Sequence, residues 1–163
     1  MRRLWLGPSL AAAAALVLGA VWWGLKARTE RQYQAAILEG KAAAGAGAME
    51  RARQAFVRAA AMLPEPGEAQ YVLGAVEKAM GRPDAARAAW LAVPAGSPFA
   101  LHAALMLARG ALDHDRQADA EPYLKTALGA AWPTGKEARE VLLNLYKVQN
   151  RLEEARRLVR DGW

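Results

Sequence analysis

Tyr71 to Pro98 reads YVLGAVEKAMGRPDAARAAWLAVPAGSP. Two apolar-periodic stretches flank Gly81-Arg82-Pro83, a turn signal, so the segment predicts two helices folded back on each other. Pro83 falls at the start of the second helix, where its ring is tolerated. Gly74 and Ala86 supply small residues where the two helices approach closely, and Trp90 fills the space toward whatever packs next.

Moving outward by 34 residues repeats the pattern. Gly40, Gly47, Ala52, Phe56 and Pro64 recur as Gly74, Gly81, Ala86, Trp90 and Pro98. A further 34 residues reach Ala108, Asp115, Ala120 and Leu124, and 35 more reach Leu143, Asn150, Ala155 and Val159. A fixed period in this range predicts stacked supersecondary units, each unable to bury its apolar face alone. The expected units span about 33–66, 67–100, 101–135 and 136–163. Their turns fall at Gly45 to Gly47, Gly81 to Pro83, Asp113 to Arg116, and Gln149 to Arg151. Pro122 fits the first turn of its helix if Asp119 is the cap; otherwise a kink is expected there.

These residues carry a resemblance to the tetratricopeptide repeat family. Leu73-Gly74, Gly81, Ala86, Trp90 and Pro98 match its Leu-Gly, turn Gly, small Ala, aromatic and terminal Pro positions. Gly40, Gly47, Ala52, Phe56, Ala59 and Pro64 match the same pattern. The third unit lacks the turn glycine and the aromatic, and the fourth has Leu143 where a small residue stands elsewhere. The resemblance implies an all-α solenoid of four helical hairpins that binds protein. One known activity of the family, gripping a chaperone's carboxylate terminus, is rejected: Ile37, Lys41, Val72, His102 and Met106 preserve too little of that clamp.

Composition agrees with helices. Of 163 residues 54% are apolar, with alanine dominant and few β-branched residues. Zero cysteines exclude disulfides, thiolate nucleophiles and zinc–sulfur sites. The net charge of +6 falls to +4 once Arg2 and Arg3 are set aside, too mild and dispersed for a nucleic-acid partner. With two histidines, no phosphate loop and no nucleophile elbow, the sequence predicts no enzyme, no metal, no cofactor and no small-molecule substrate. Asp113-His114-Asp115 reads as a solvated turn, since adjacent turn residues cannot converge on one ion.

Ahead of the repeats, residues 4–25 carry no charged side chain and follow the basic tail 1–3. At about 1.5 Å per residue that length predicts a single-pass transmembrane signal anchor. Arg2, Arg3 and Trp5 would mark one interface, and Trp22, Trp23, Lys26 and Arg28 the other, with Arg31 also near the headgroups. Residues 26–32 read as a helical connector; the charges flanking the run disagree, since Lys26, Arg28, Arg31 and Lys41 follow it, and the retained basic tail favours the bulk of the chain outside the cytoplasm, with a cytoplasmic domain as the other reading. A cleaved signal peptide, giving a secreted protein, is a second reading; Leu18 and Trp22-Trp23 fit its cleavage region poorly.

Helical projection of the repeats places Lys41, Tyr71, Lys78, His102, Arg109, Asn144 and Lys147 along the face lined by the first helix of each unit. The cations among them form a basic line suited to an acidic or carboxylate-ended peptide or helix. The expected function is therefore a membrane-anchored scaffold or assembly factor binding a protein in this groove or at the open carboxy-terminal end. The alternative is a permanent membrane-complex subunit held through small residues such as Ala11 to Ala15 and Gly19.

Overall fold

The computed structural model describes residues 7–160, all of whose regular elements are helices. In order they are α1 (Gly7–Gly45), α2 (Met49–Ala60), α3 (Gly67–Ala79), α4 (Pro83–Leu91), α5 (Ala100–Asp113), α6 (Gln117–Ala127), α7 (Thr134–Val148) and α8 (Leu152–Arg160). Consecutive helices pair as α1/α2, α3/α4, α5/α6 and α7/α8, and each pair packs on the next.

One backbone device closes all four hairpins. Gly47, Gly81, Asp115 and Asn150 have positive φ of 75°, 74°, 57° and 55°. In each turn the following residue donates its N–H back to a carbonyl five residues earlier: Ala48 to Ala43, Arg82 to Glu77, Arg116 to Ala111 and Arg151 to Tyr146, at 2.8 to 2.9 Å. These are Schellman closures, which satisfy carbonyls that the ending helix leaves open. Asp and Asn tolerate the left-handed region better than other side chains, so the two later units turn without glycine.

The core alternates small and large side chains. A methyl group on Gly40 would lie 2.5 Å from the Phe56 ring, and one on Gly74 would lie 2.3 Å from Trp90 Nε1. Ala52, Ala86 and Ala120 are wholly buried at the matching crossings. Phe56 and Trp90 thus fill their own hairpins and also reach the next: Phe56 shares a cluster with Ala69 and Val76, and Trp90 with Ala103 and Leu107. Polar anchors accompany them. The Trp90 indole donates to the Tyr71 carbonyl at 3.1 Å, and Ala69 in the first turn of α3 donates to the Tyr33 hydroxyl at 3.2 Å.

Two expectations need correcting. Helix α6 begins at Gln117 with Arg116 as its cap, so Pro122 sits inside the helix and past its first turn. The lost amide donor costs little solvent exchange, because Ala118, whose carbonyl it would have reached, is exposed.

The second correction concerns the single-pass membrane reading. Among the described residues no helix is long and apolar enough to cross a membrane. The apolar stretch whose side chains are described begins at Leu16 and ends at Leu25, shorter than the about 20 residues a span needs. The same helix continues through Lys26, Arg28, Glu30 and Arg31 to Gly45. Trp22 and Trp23 are exposed on it, and the Lys26 ammonium lies 5.3 Å from the Trp22 ring. The interface roles given to Trp22, Trp23, Lys26 and Arg28, and the extracytoplasmic placement, fall with the span. Arg2, Arg3 and Trp5 lie outside the described residues.

Candidate protein-binding surface

Helices α3, α5 and α7 touch one another in sequence, whereas α2, α4, α6 and α8 make no comparable contacts among themselves within the described residues. The array therefore closes up on its odd-numbered side, and this inner face is a continuous strip of three helices. Tyr71 and Lys78 lie on α3, His102 and Arg109 on α5, Asn144 and Lys147 on α7, and Lys41 on α1.

The strip has an aromatic part and a charged part. Tyr71 stacks on Phe99 with ring centroids 5.5 Å apart, and meets the exposed His102 edge-on at 6.1 Å. The charged part is a ladder. Lys41 Nζ lies 2.6 Å from Glu68 Oε1, Lys78 Nζ lies 3.1 Å from Asp113 Oδ2, and Arg109 pairs with Glu137. In each rung the cation stands on one odd helix and the carboxylate on the next. The structure thus sets an acid beside each of these three basic residues, which projection of the basic residues alone did not reveal. The Lys78–Asp113 rung is open to solvent on both sides, so it contributes about 0–1 kcal/mol and exchanges readily, whereas Glu68 and Glu137 are partly buried. Asn144 and Lys147 are exposed on the last odd helix, apart from the aromatic cluster.

Asp113 and Asp115, which bracket His114, are occupied structurally. Asp113 ends α5 and holds Lys78, while Asp115 takes the left-handed turn and accepts a bond from Gln117 Nε2 at 3.4 Å. Among the described residues no group of three ligating side chains converges.

Sequence reading missed a clamp around Glu121. Its carboxylate accepts from Arg151 Nη1 at 2.5 Å, Lys125 Nζ at 2.8 Å and the Tyr146 hydroxyl at 3.1 Å. Arg151 also binds Glu154 at 3.0 Å and lies over the Tyr146 ring at 4.5 Å. The Arg151 and Lys125 bonds hold the Glu121 carboxyl down at about 2, and the Arg151 guanidinium is pushed up in turn. The clamp ties α6, α7 and the start of α8 together. A second charged group, Glu77, is buried between Arg82 at 3.6 Å and Arg53 at 3.9 Å, joining α2 to α3.

No family model matches the chain, and no curated protein does. Among solved structures, a crystal structure of MamA protein superposes with a TM-score of 0.66 at 16% identity, over 82% of this chain and 72% of that one. At this identity the likeness speaks for the fold alone: the chain is a tetratricopeptide-like array of helical hairpins.

Proposed function

We propose that the protein is an interaction scaffold, holding a segment of a partner protein along the inner face of α3, α5 and α7. The observation that supports this reading is the run of Tyr71, Phe99 and His102 beside Lys78 and Arg109 on consecutive helices of one face. Aromatic side chains offer contact area at low entropic cost, and the adjoining cations select for carboxylates. An acidic segment displaces Asp113 from its rung at small expense, because that pair is solvated. The chain acts by binding and performs no reaction.

The test is quantitative recovery of partners by the full chain and by variants of matched helicity. Lys78→Glu and His102→Glu should each reduce recovery of a stoichiometric partner at least tenfold, while Arg51→Glu on the opposite helix layer should leave it unchanged. Equal recovery by all four proteins would place the partner on another surface.

A further inference from the structure

The last three hairpin turns each end on an arginine: Arg82, Arg116 and Arg151. At the first junction between units, Glu77 of α3 is buried between Arg82 at 3.6 Å and Arg53 of α2 at 3.9 Å. At the third, Arg151 holds Glu121 of α6 at 2.5 Å. The middle junction keeps the arginines and lacks the acid. One 34-residue step on from Arg53, Glu77 and Arg82 stand Arg87, Ala111 and Arg116. Among the described residues Arg87 has no ion pair, and Arg116 has Asp119 at 3.9 Å with both side chains exposed. The space that a glutamate side chain would take is open: a cleft of about 340 Å³ is lined by Arg87 of α4, Leu107 and Ala111 of α5, Arg116, and Asp119, Pro122 and Tyr123 of α6. The residue before Ala111 has shrunk as well. Gly110 stands where Val76, a buried core residue, stands one unit earlier, and a methyl group on Gly110 meets nothing within 4 Å. A second hollow of about 40 Å³ opens there against Trp90, Met106 and Leu107, again bordered by Arg87 and Arg116.

We infer that Arg87 and Arg116 bind the carboxylate of a small aliphatic acid, its oxygens lying where those of Glu77 lie one unit earlier and its carbon chain against Leu107, Pro122 and Tyr123. Guanidinium groups match the planar carboxylate with paired donors, as the in-chain acids at the neighbouring junctions already use them. Two arginines and Asp119 leave one net positive charge in the cleft. A single carboxylate neutralises that charge, whereas a phosphate dianion overshoots it. Walled by α4, α5 and α6, the cleft is of the size of the smaller ligand sites, roughly 300 Å³ and upward. It lies at an interior junction with a unit packed on either side, and it opens beside the outer helices. The site is separate from the inner face of α3, α5 and α7, and its test does not depend on that reading.

Butyrate is the probe, titrated into the full-length protein at constant ionic strength and followed through the arginine Nε–Hε NMR signals. Saturable shifts at Arg87 and Arg116, absent with butylammonium, are expected. Arg87→Gln and Arg116→Gln should each weaken binding at least tenfold in proteins of unchanged helicity. Ala111→Glu should abolish it, because the new side chain engages the two arginines as Glu77 engages Arg53 and Arg82. No saturation, or binding indifferent to both glutamine variants, overturns the proposal. Equal binding of inorganic phosphate would make the cleft a general anion site and overturn the assignment to a carboxylate. Glutamate that binds within a short peptide while butyrate does not would make the cleft a contact for a partner protein and overturn it equally.

Discussion

Gly74 and Gly110 both lie inside helices, yet alanine should act oppositely at the two. At Gly110 a methyl group meets nothing within 4 Å, so Gly110→Ala should stabilise by about 0.5–1 kcal/mol through lost unfolded-state freedom. At Gly74 it would press on the Trp90 indole, which is itself fixed by its bond to the Tyr71 carbonyl. Gly74→Ala should therefore destabilise by about 1–3 kcal/mol. Thermal denaturation of the two variants checks both signs, and a stabilising Gly74→Ala would refute the packing described for the second hairpin. This pairing was legible in the sequence because a small residue 16 positions before a large aromatic repeats in two units. The left-handed turn was legible only where glycine marks it. At Asp115 and Asn150 the register gave the position, but either residue also suits other conformations, so φ followed from the structure.

Among the elements, α6 to α8 depend on a charged clamp where the first hairpins depend on aromatic packing. Glu121 titrates near 2 in the folded protein against an ordinary value of 4.5, held down first by Arg151 and then by Lys125. A depressed carboxylate stabilises fully above its unfolded value and loses that contribution as pH falls through the folded one. Stability should thus decline from about pH 4.5 toward pH 2. Glu121→Gln should cost about 1 kcal/mol at neutral pH, a loss of roughly 2–4 °C in Tm, discounted because the clamp is partly solvated. The difference from the parent protein should shrink toward pH 2; a deficit independent of pH would mean that the charge at Glu121 is not what holds the helices. Periodicity could not foretell this clamp. Glu121 and Arg151 are 30 positions apart, and polar residues on exposed helix faces follow no apolar repeat. Helix α6 shows a related gap: its start at Gln117 is set by the turn at Asp115, while a candidate cap at Asp119 looked equally good locally.

At the scale of the whole molecule, the hairpin order and the 34-residue step could be read directly, because repeated small, large and turn residues constrain every unit in the same way. The amino-terminal segment could not be read from its lack of charge alone: among the described residues no helix is long and apolar enough to cross a membrane. The candidate surface was half legible. Projection assigned Lys41, Lys78 and Arg109 to one layer of helices, but their carboxylate partners come from neighbouring units, and only tertiary packing brings them together. The central claim is that the inner face of α3, α5 and α7 is where a partner protein lies. The most direct measurement introduces a photo-crosslinking amino acid, one position at a time, at Lys78, His102 and Asn144 on that face and at Arg51 and Arg87 on the outer helices. Discrete protein adducts from the three inner positions and none from the outer two are the expected result. Adducts from Arg51 and Arg87 with none from His102 would contradict it.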